Sequence, residues 1–145
     1  MPAVRNCNIP EDLYYLVEKH VWARPVGDLV EVGLTDVAQN MAKGIISVTP
    51  KKIGRALRAQ QSVATVESGK WVGPVPTPVA GEVAEVNTAV VADPSLINTD
   101  PYGAGWVARV RAVDWATDSG GLATGPEGVA AYSRFLEAEG ISCEE

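Results

Sequence analysis

A mostly-β fold with short helices and one longer C-terminal helix is what this 145-residue sequence predicts. Three observations carry that expectation. Fourteen Gly and ten Pro stand as punctuation between short apolar runs. Two stretches alternate apolar and other residues with the period of two that a half-buried strand requires. A single longer run near the C-terminus changes to helical spacing.

The two alternating stretches are the clearest strands: Val30, Val32 and Leu34 alternate with Leu29, Glu31 and Gly33, and Trp106, Ala108 and Val110 alternate with Val107, Arg109 and Arg111. Shorter β-branched runs at 13–18, 21–24, 45–48, 63–67, 70–75 and 81–86 are further strands, bounded by Gly, Pro or charged residues. Val83 and Val86 have opposite parity, so the 81–86 strand is either buried on both faces or bulged. Thr35-Asp36 before 37–42 supplies an N-cap for a short helix that stops near Gly44. A single turn at 88–92 ends at Asp93-Pro94. Pro126-Glu127 opens a helix over 126–139, with Val129, Tyr132 and Leu136 on one stripe and Gly140 as the stop. Thr117 to Gly121 reads as a loop. The length suits one domain, with the helix as its tail.

Composition narrows function. Eighteen acidic against twelve basic residues leave a formal charge of -6, opposite to the footprint of a nucleic-acid binder. One His and two Cys are too few for a zinc site of those ligands alone. No run is long and apolar enough for a membrane span, and the first residues lack a secretory core, so a cytoplasmic protein is expected. In that compartment Cys7 and Cys143 default to unpaired thiols; a functional pair requires the two ends of the chain to meet. Gly-x-Ser-x-Gly, Walker, dinucleotide-binding and Cys-x-x-Cys motifs are absent. Glu82 and Glu85 read as a solvated face of an acidic chain.

The unusual segment is Glu67-Ser68-Gly69-Lys70-Trp71, held between two strand-like runs. Gly69 is suited to the positive φ of a tight hairpin, and Lys70 falls near its tip. With Pro78-Val79-Ala80-Gly81-Glu82-Val83 downstream, this segment resembles the lipoyl-attachment region of the glycine cleavage H-protein family. So do Lys19-His20-Val21-Trp22, the Gly33-Leu34-Thr35 to Ala38-Gln39 motif, and Asn98 to Trp106 with Pro101-Tyr102-Gly103 inside it. The resemblance implies a barrel-sandwich hybrid fold and a lipoic acid carried as lipoyllysine on Lys70. It further implies a carrier rather than an enzyme, attachment by a lipoate ligase or another lipoate-attachment enzyme, and a monomer. Glu67, Ser68, Gly69 and Trp71 then shape the hairpin and the surface partners recognise. Lipoamide is a mobile group carrier, so the chemistry asks for a rigid pedestal and an exposed amine.

Departures point to a branch of the family. H-proteins usually carry Glu-Ser-Val-Lys-Ala, where this chain has Gly69 and Trp71, and Lys51-Lys52-Ile53-Gly54-Arg55 forms a basic cluster where the family is more acidic. These features, with Cys7 to Tyr15 and the Gly140 to Cys143 tail, resemble lipoate-binding proteins of cytoplasmic sulfur oxidation. That resemblance implies a sulfur and electron carrier working with a heterodisulfide-reductase-like complex. The alternative is a glycine-cleavage H-protein that carries the aminomethyl group, with glycine decarboxylase, aminomethyltransferase and dihydrolipoamide dehydrogenase as partners. A second alternative is a thiol redox protein that uses Cys7 and Cys143.

Overall fold

The computed structural model describes residues 2–143. Its strands are β1 (Ala3–Val4), β2 (Cys7–Asn8), β3 (Tyr14–Leu16), β4 (Val21–Val26), β5 (Leu29–Leu34), β6 (Ile45–Pro50) and β7 (Ala56–Leu57), followed by β8 (Ser62–Ser68), β9 (Val72–Pro76), β10 (Gly81–Val86), β11 (Ala108–Ala112) and β12 (Ala123–Thr124). The helices are α1 (Asp36–Ala42), α2 (Thr88–Ala92), α3 (Leu96–Thr99), α4 (Trp115–Ser119) and α5 (Gly125–Glu139). Seven strands form one sheet in the order β12-β3-β4-β5-β11-β10-β7, and β6-β8-β9 form a second; β1 and β2 pair separately.

The two larger sheets face each other across one apolar core, the sandwich arrangement the resemblance implies. Val21, Ala23, Val30, Val32 and Leu34 of the large sheet meet Ile45, Val48, Val63, Val66 and Val75 of the small one. The other face of the large sheet is also covered. Trp22 and Tyr15 pack there with Tyr132 and Leu136 of α5, closing a second core with Ile9, Leu13 and Val37. That second layer explains why Val21, Trp22 and Ala23 are all buried although successive strand residues point to opposite faces.

Local chemistry accounts for the elements. Thr35 caps α1 by accepting from the Ala38 N–H at 3.3 Å, and Asn87 caps α2 by accepting from Ala89 N–H at 3.1 Å. α5 begins with Pro126 in its first turn and ends at Gly140, whose φ of 67° is the left-handed stop the sequence suggests. Strand β10 is bulged between Val83 and Glu85, the second of the two options its parity left open.

Four expectations change. The 13–18 run is a three-residue strand followed by a 3₁₀ turn over Val17–Lys19. The Thr117 to Gly121 stretch is mostly helix, because Asp114 accepts from Thr117 N–H at 3.2 Å and nucleates α4. The strand expected from Trp106 starts at Ala108, so Trp106 does not share the core face of Ala108 and Val110. It lies half-buried at the edge of the second core, with the Arg109 guanidinium 3.9 Å from its ring.

The fourth change concerns the cysteines. Cys7 and Cys143 form a disulfide, with Cα atoms 5.1 Å apart across 136 residues of sequence. The chain ends meet because the β1–β2 turn docks on the segment after α5: Cys143 N–H donates to Arg5 O at 2.9 Å and Arg5 Nε to Ile141 O at 2.6 Å. Local geometry therefore overrides the compartment argument. The bond is buried, which suits a clasp better than the exposed, exchange-ready pair a thiol redox protein needs.

Two stability measurements test this packing. Trp22 is fully buried and donates its indole N–H to Leu34 O and Pro101 O, both at 3.0 Å. Trp22→Ala should cost about 3–5 kcal/mol in urea unfolding and Trp106→Ala clearly less; equal losses would contradict the assignment of faces. Closing so long a loop contributes about 4–5 kcal/mol in the chain-entropy model. Reductant should lower the unfolding midpoint of wild type and leave a Cys7→Ser, Cys143→Ser double variant unmoved, and an insensitive wild type would refute the clasp.

Candidate functional site

Strands β8 and β9 form an antiparallel hairpin whose last ladder pair is Glu67 with Val72. The turn that follows is short and internally bonded. Ser68 N–H donates to Trp71 O at 2.7 Å, and Ser68 Oγ accepts from Lys70 N–H at 3.4 Å. Ser68 is buried beneath the turn, whereas Glu67, Gly69 and Lys70 are exposed. The sequence thus places Lys70 at the tip correctly, with its amine raised on a two-stranded support that β6 extends to three.

Gly69 does not play the part the sequence suggested. Its φ lies outside the left-handed region, and a Cβ there would meet nothing within 4 Å. The turn therefore does not demand glycine; its absence of a side chain leaves open space next to Lys70. The close approach in this hairpin is at Gly73. A Cβ on Gly73 would come within 2.2 Å of Trp71 Cζ2, so the indole packs against the backbone of β9 at Gly73. Trp71 still keeps 39% of its surface exposed.

That exposed ring is one wall of a cleft of about 410 Å³ between the hairpin and α1. Its apolar lining is Leu34, Ala38, Met41, Ala42, Trp71 and Pro74; the polar residues are Lys19, His20 and Lys70. Sequence reasoning paired Lys70 with Trp71 and missed the opposite wall. Ala38, Met41 and Ala42 do stand at helical spacing in α1, but a one-dimensional stripe does not say which hairpin it faces. The α1 carboxylate, Asp36, is engaged elsewhere: its oxygens accept from Asn8 N–H at 2.8 Å and Gln39 Nε2 at 2.7 Å.

His20 closes the inner end. It adopts a left-handed φ of 57° at the end of the 3₁₀ turn, and its Nδ1 lies 2.6 Å from Tyr132 Oη, which is itself 2.9 Å from the Thr35 hydroxyl that caps α1. Burial disfavours the imidazolium and pushes the His20 pKa down to about 4. Near neutral pH the ring is uncharged. Between about 6.5 and about 4 the unfolded chain takes up a proton at His20 that the folded chain refuses, so acid favours unfolding. Stability should drop across that interval, by about 1–3 kcal/mol after allowance for the partly exposed ring. His20→Asn, which tolerates the left-handed backbone, should flatten this part of the profile in urea titrations; an unchanged profile would assign the acid sensitivity to other groups.

Other candidates lie apart from the tip. The basic loop at 51–55 follows β6 at the far end of the small sheet, where Lys51 N–H donates to Val63 O at 2.9 Å. About 20 Å of strand separates it from Lys70 at the ordinary rise per residue. Glu85 is not simply solvated; it binds Arg109 Nη1 at 2.8 Å, while Glu82 is exposed. Among the described residues no helix is long and apolar enough to cross a membrane.

Known proteins share this arrangement. The model of the glycine cleavage H-protein family matches residues 13–134. Glycine cleavage system H protein 5 of Aquifex aeolicus is 40% identical, over 99% of each chain. Glycine cleavage system H protein 2 of the same organism is 42% identical, over 97% of this chain and 88% of its own. The crystal structure of a glycine cleavage system H protein from Mycobacterium marinum superposes with a TM-score of 0.74 at 33% identity, covering 92% of this chain and all of that one. With the hairpin, its tip lysine and four matching motifs in place, this chain belongs to the glycine cleavage H-protein family, whose members are lipoyl carriers.

Proposed function

We propose that this protein is a carrier, not an enzyme, and that Lys70 is the lysine that holds lipoic acid in amide linkage. The observation that carries this reading is the exposed amine at the tip of a rigid hairpin, bordering an apolar cleft. When bound, the lipoyl group supplies a dithiolane whose sulfurs accept and release a group or an electron pair. The residues fit such an arm. Gly69 leaves the space beside the attachment point open, and Trp71, Met41, Leu34 and Pro74 offer apolar surface where the tether can lie. Lysine stem plus acyl chain span on the order of 12 Å, enough to reach either the cleft or a partner's active site.

Ser68 and Gly73 act through position: the first ties the turn, and the second lets Trp71 pack against β9. Glu67 stands exposed beside the lysine, where a modifying ligase reads the surface. His20 meets the cleft as a neutral imidazole.

For the group carried, the names of the relatives support glycine cleavage, with glycine decarboxylase, aminomethyltransferase and dihydrolipoamide dehydrogenase as partners. A second reading, sulfur oxidation with a heterodisulfide-reductase-like complex, rests on a different observation. Gly69 and Trp71 alter the surface on both sides of the lysine, and two separately numbered H proteins of one organism resemble this chain about equally. Separate copies of a carrier in one cell suit separate tasks.

Incubation of the purified protein with a lipoate ligase, ATP and lipoate should raise the intact mass by one lipoyl unit. Lys70→Arg should abolish the gain without changing the unfolding free energy by more than about 0.5 kcal/mol, because the side chain packs against no core. Peptide mapping of the label to Lys43, Lys51 or Lys52 would refute the assignment.

A further inference from the structure

The cleft beside Lys70 has an unusual charge for an acidic protein. Among the described residues no carboxylate side chain lines the cleft; its ionisable residues are Lys19, Lys70 and His20. Asp36, the carboxylate of the helix that forms one wall, is held by Asn8 N–H and Gln39 Nε2. Glu67, exposed near the end of β8, is not among the residues that line the cleft.

Acylation changes this balance in one direction. An amide at Lys70 removes that charge, so Lys19 becomes the remaining cation at the cleft. His20 does not add to it near neutral pH, since burial keeps its ring unprotonated. The walls are apolar: Leu34, Met41, Trp71 and Pro74 offer a cationic group no acceptor charge. A protonated amine brought there would lose hydration and meet an ammonium; an anion would meet its counter-ion.

We propose that this cleft selects the lipoyl arm by the charge at its sulfur end, accepting an uncharged or anionic sulfur-bound group and disfavouring a cationic one, with Lys19 as the specificity-determining residue. The inference rests on the lipoyl-carrier reading and sharpens it. Near neutral pH an aminomethyl group is a cation, so the cargo of glycine cleavage is the disfavoured class, and an anionic sulfur adduct is the favoured one. Lys19 is exposed, so the expected selectivity is that of a surface pair, about two- to fivefold in the docked-to-free ratio.

The test uses the full chain lipoylated on Lys70, with the dithiolane reduced under conditions that leave the Cys7–Cys143 bond intact by mass. The two arm thiols are then alkylated with iodoacetate, iodoacetamide or 2-bromoethylamine, giving arms of similar length that end in anionic, neutral or cationic groups. Docking is read from the indole N–H resonance of Trp71, assigned by Trp71→Phe. The expected order is anionic, then neutral, then cationic, with the spread collapsing at about 1 M salt, where charges are screened beyond about 3 Å. Lys19→Glu should reverse the order and Lys19→Gln should level it. A cationic arm that docks as well as the anionic one in wild type, or an order unchanged in Lys19→Glu, overturns the proposal. Failure of all three arms to move the Trp71 signal overturns cleft docking as a whole, while absence of the lipoyl mass gain, seen before any alkylation, overturns the carrier reading itself.

Discussion

One side chain joins the parts of this molecule. Trp22 lies on the outer face of β4, and its ring occupies the place a side chain on Gly33 would need: a Cβ there would sit 2.5 Å from Trp22 Cζ2. The indole N–H reaches two carbonyls at once, Leu34 at the end of β5 and Pro101 in the loop after α3. Three segments far apart in sequence are thereby held to one ring, and α5 closes over it with Tyr132 and Leu136. A smaller residue at 22 would leave a void and two carbonyls short of a donor, a double penalty.

The cleft inherits its shape from that anchor. Leu34 begins one wall, and the next residue, Thr35, caps the helix that forms the rest of it. The Asn98 to Trp106 motif, which supplies none of the residues lining the cleft, holds the helix from outside. Asn98 Nδ2 donates to Lys43 O at 2.8 Å just past α1, its Oδ1 accepts from Ile45 N–H at 2.9 Å, and Tyr102 Oη accepts from Asp36 N–H at 2.9 Å. The same segment therefore fixes both ends of α1 and the start of β6, the strand that flanks the lysine hairpin. Motifs of this kind are structural in contact and functional in consequence: they set the distance between α1 and Trp71.

Much of this was legible in the sequence because it depends on local rules. Alternation located β5, the Thr35 cap located α1, Asp93-Pro94 marked the end of α2, and Pro126 with Gly140 bracketed α5. Lys70 was legible as a hairpin tip because strand-like runs flank it. What escaped depends on contacts between distant segments. Glu31 sits at an outward position of β5 yet is buried, since Arg24 and Arg109 reach it at 2.9 and 2.8 Å from neighbouring strands. The disulfide needed the chain ends to meet, and the Trp106 error came from starting a strand two residues early. Gly69 was misjudged because residue type suggested a left-handed turn that the backbone does not adopt.

The contrast between Gly69 and Gly73 bears on how such a carrier works. A mobile arm is useful only if its root is stationary, because each degree of freedom at the root must be restricted again at every partner's active site. Here the root is restrained at short range by the Ser68–Trp71 and Ser68–Lys70 bonds, while the space around the lysine is left open. Rigidity belongs to the backbone and freedom to the side chain. The exposed face of Trp71 then gives the arm an apolar place to rest, and burial keeps the neighbouring His20 uncharged near neutral pH. Discrimination falls to the few charges at the rim, where a single lysine can shift which loaded arm is sheltered and which is left for a partner to collect.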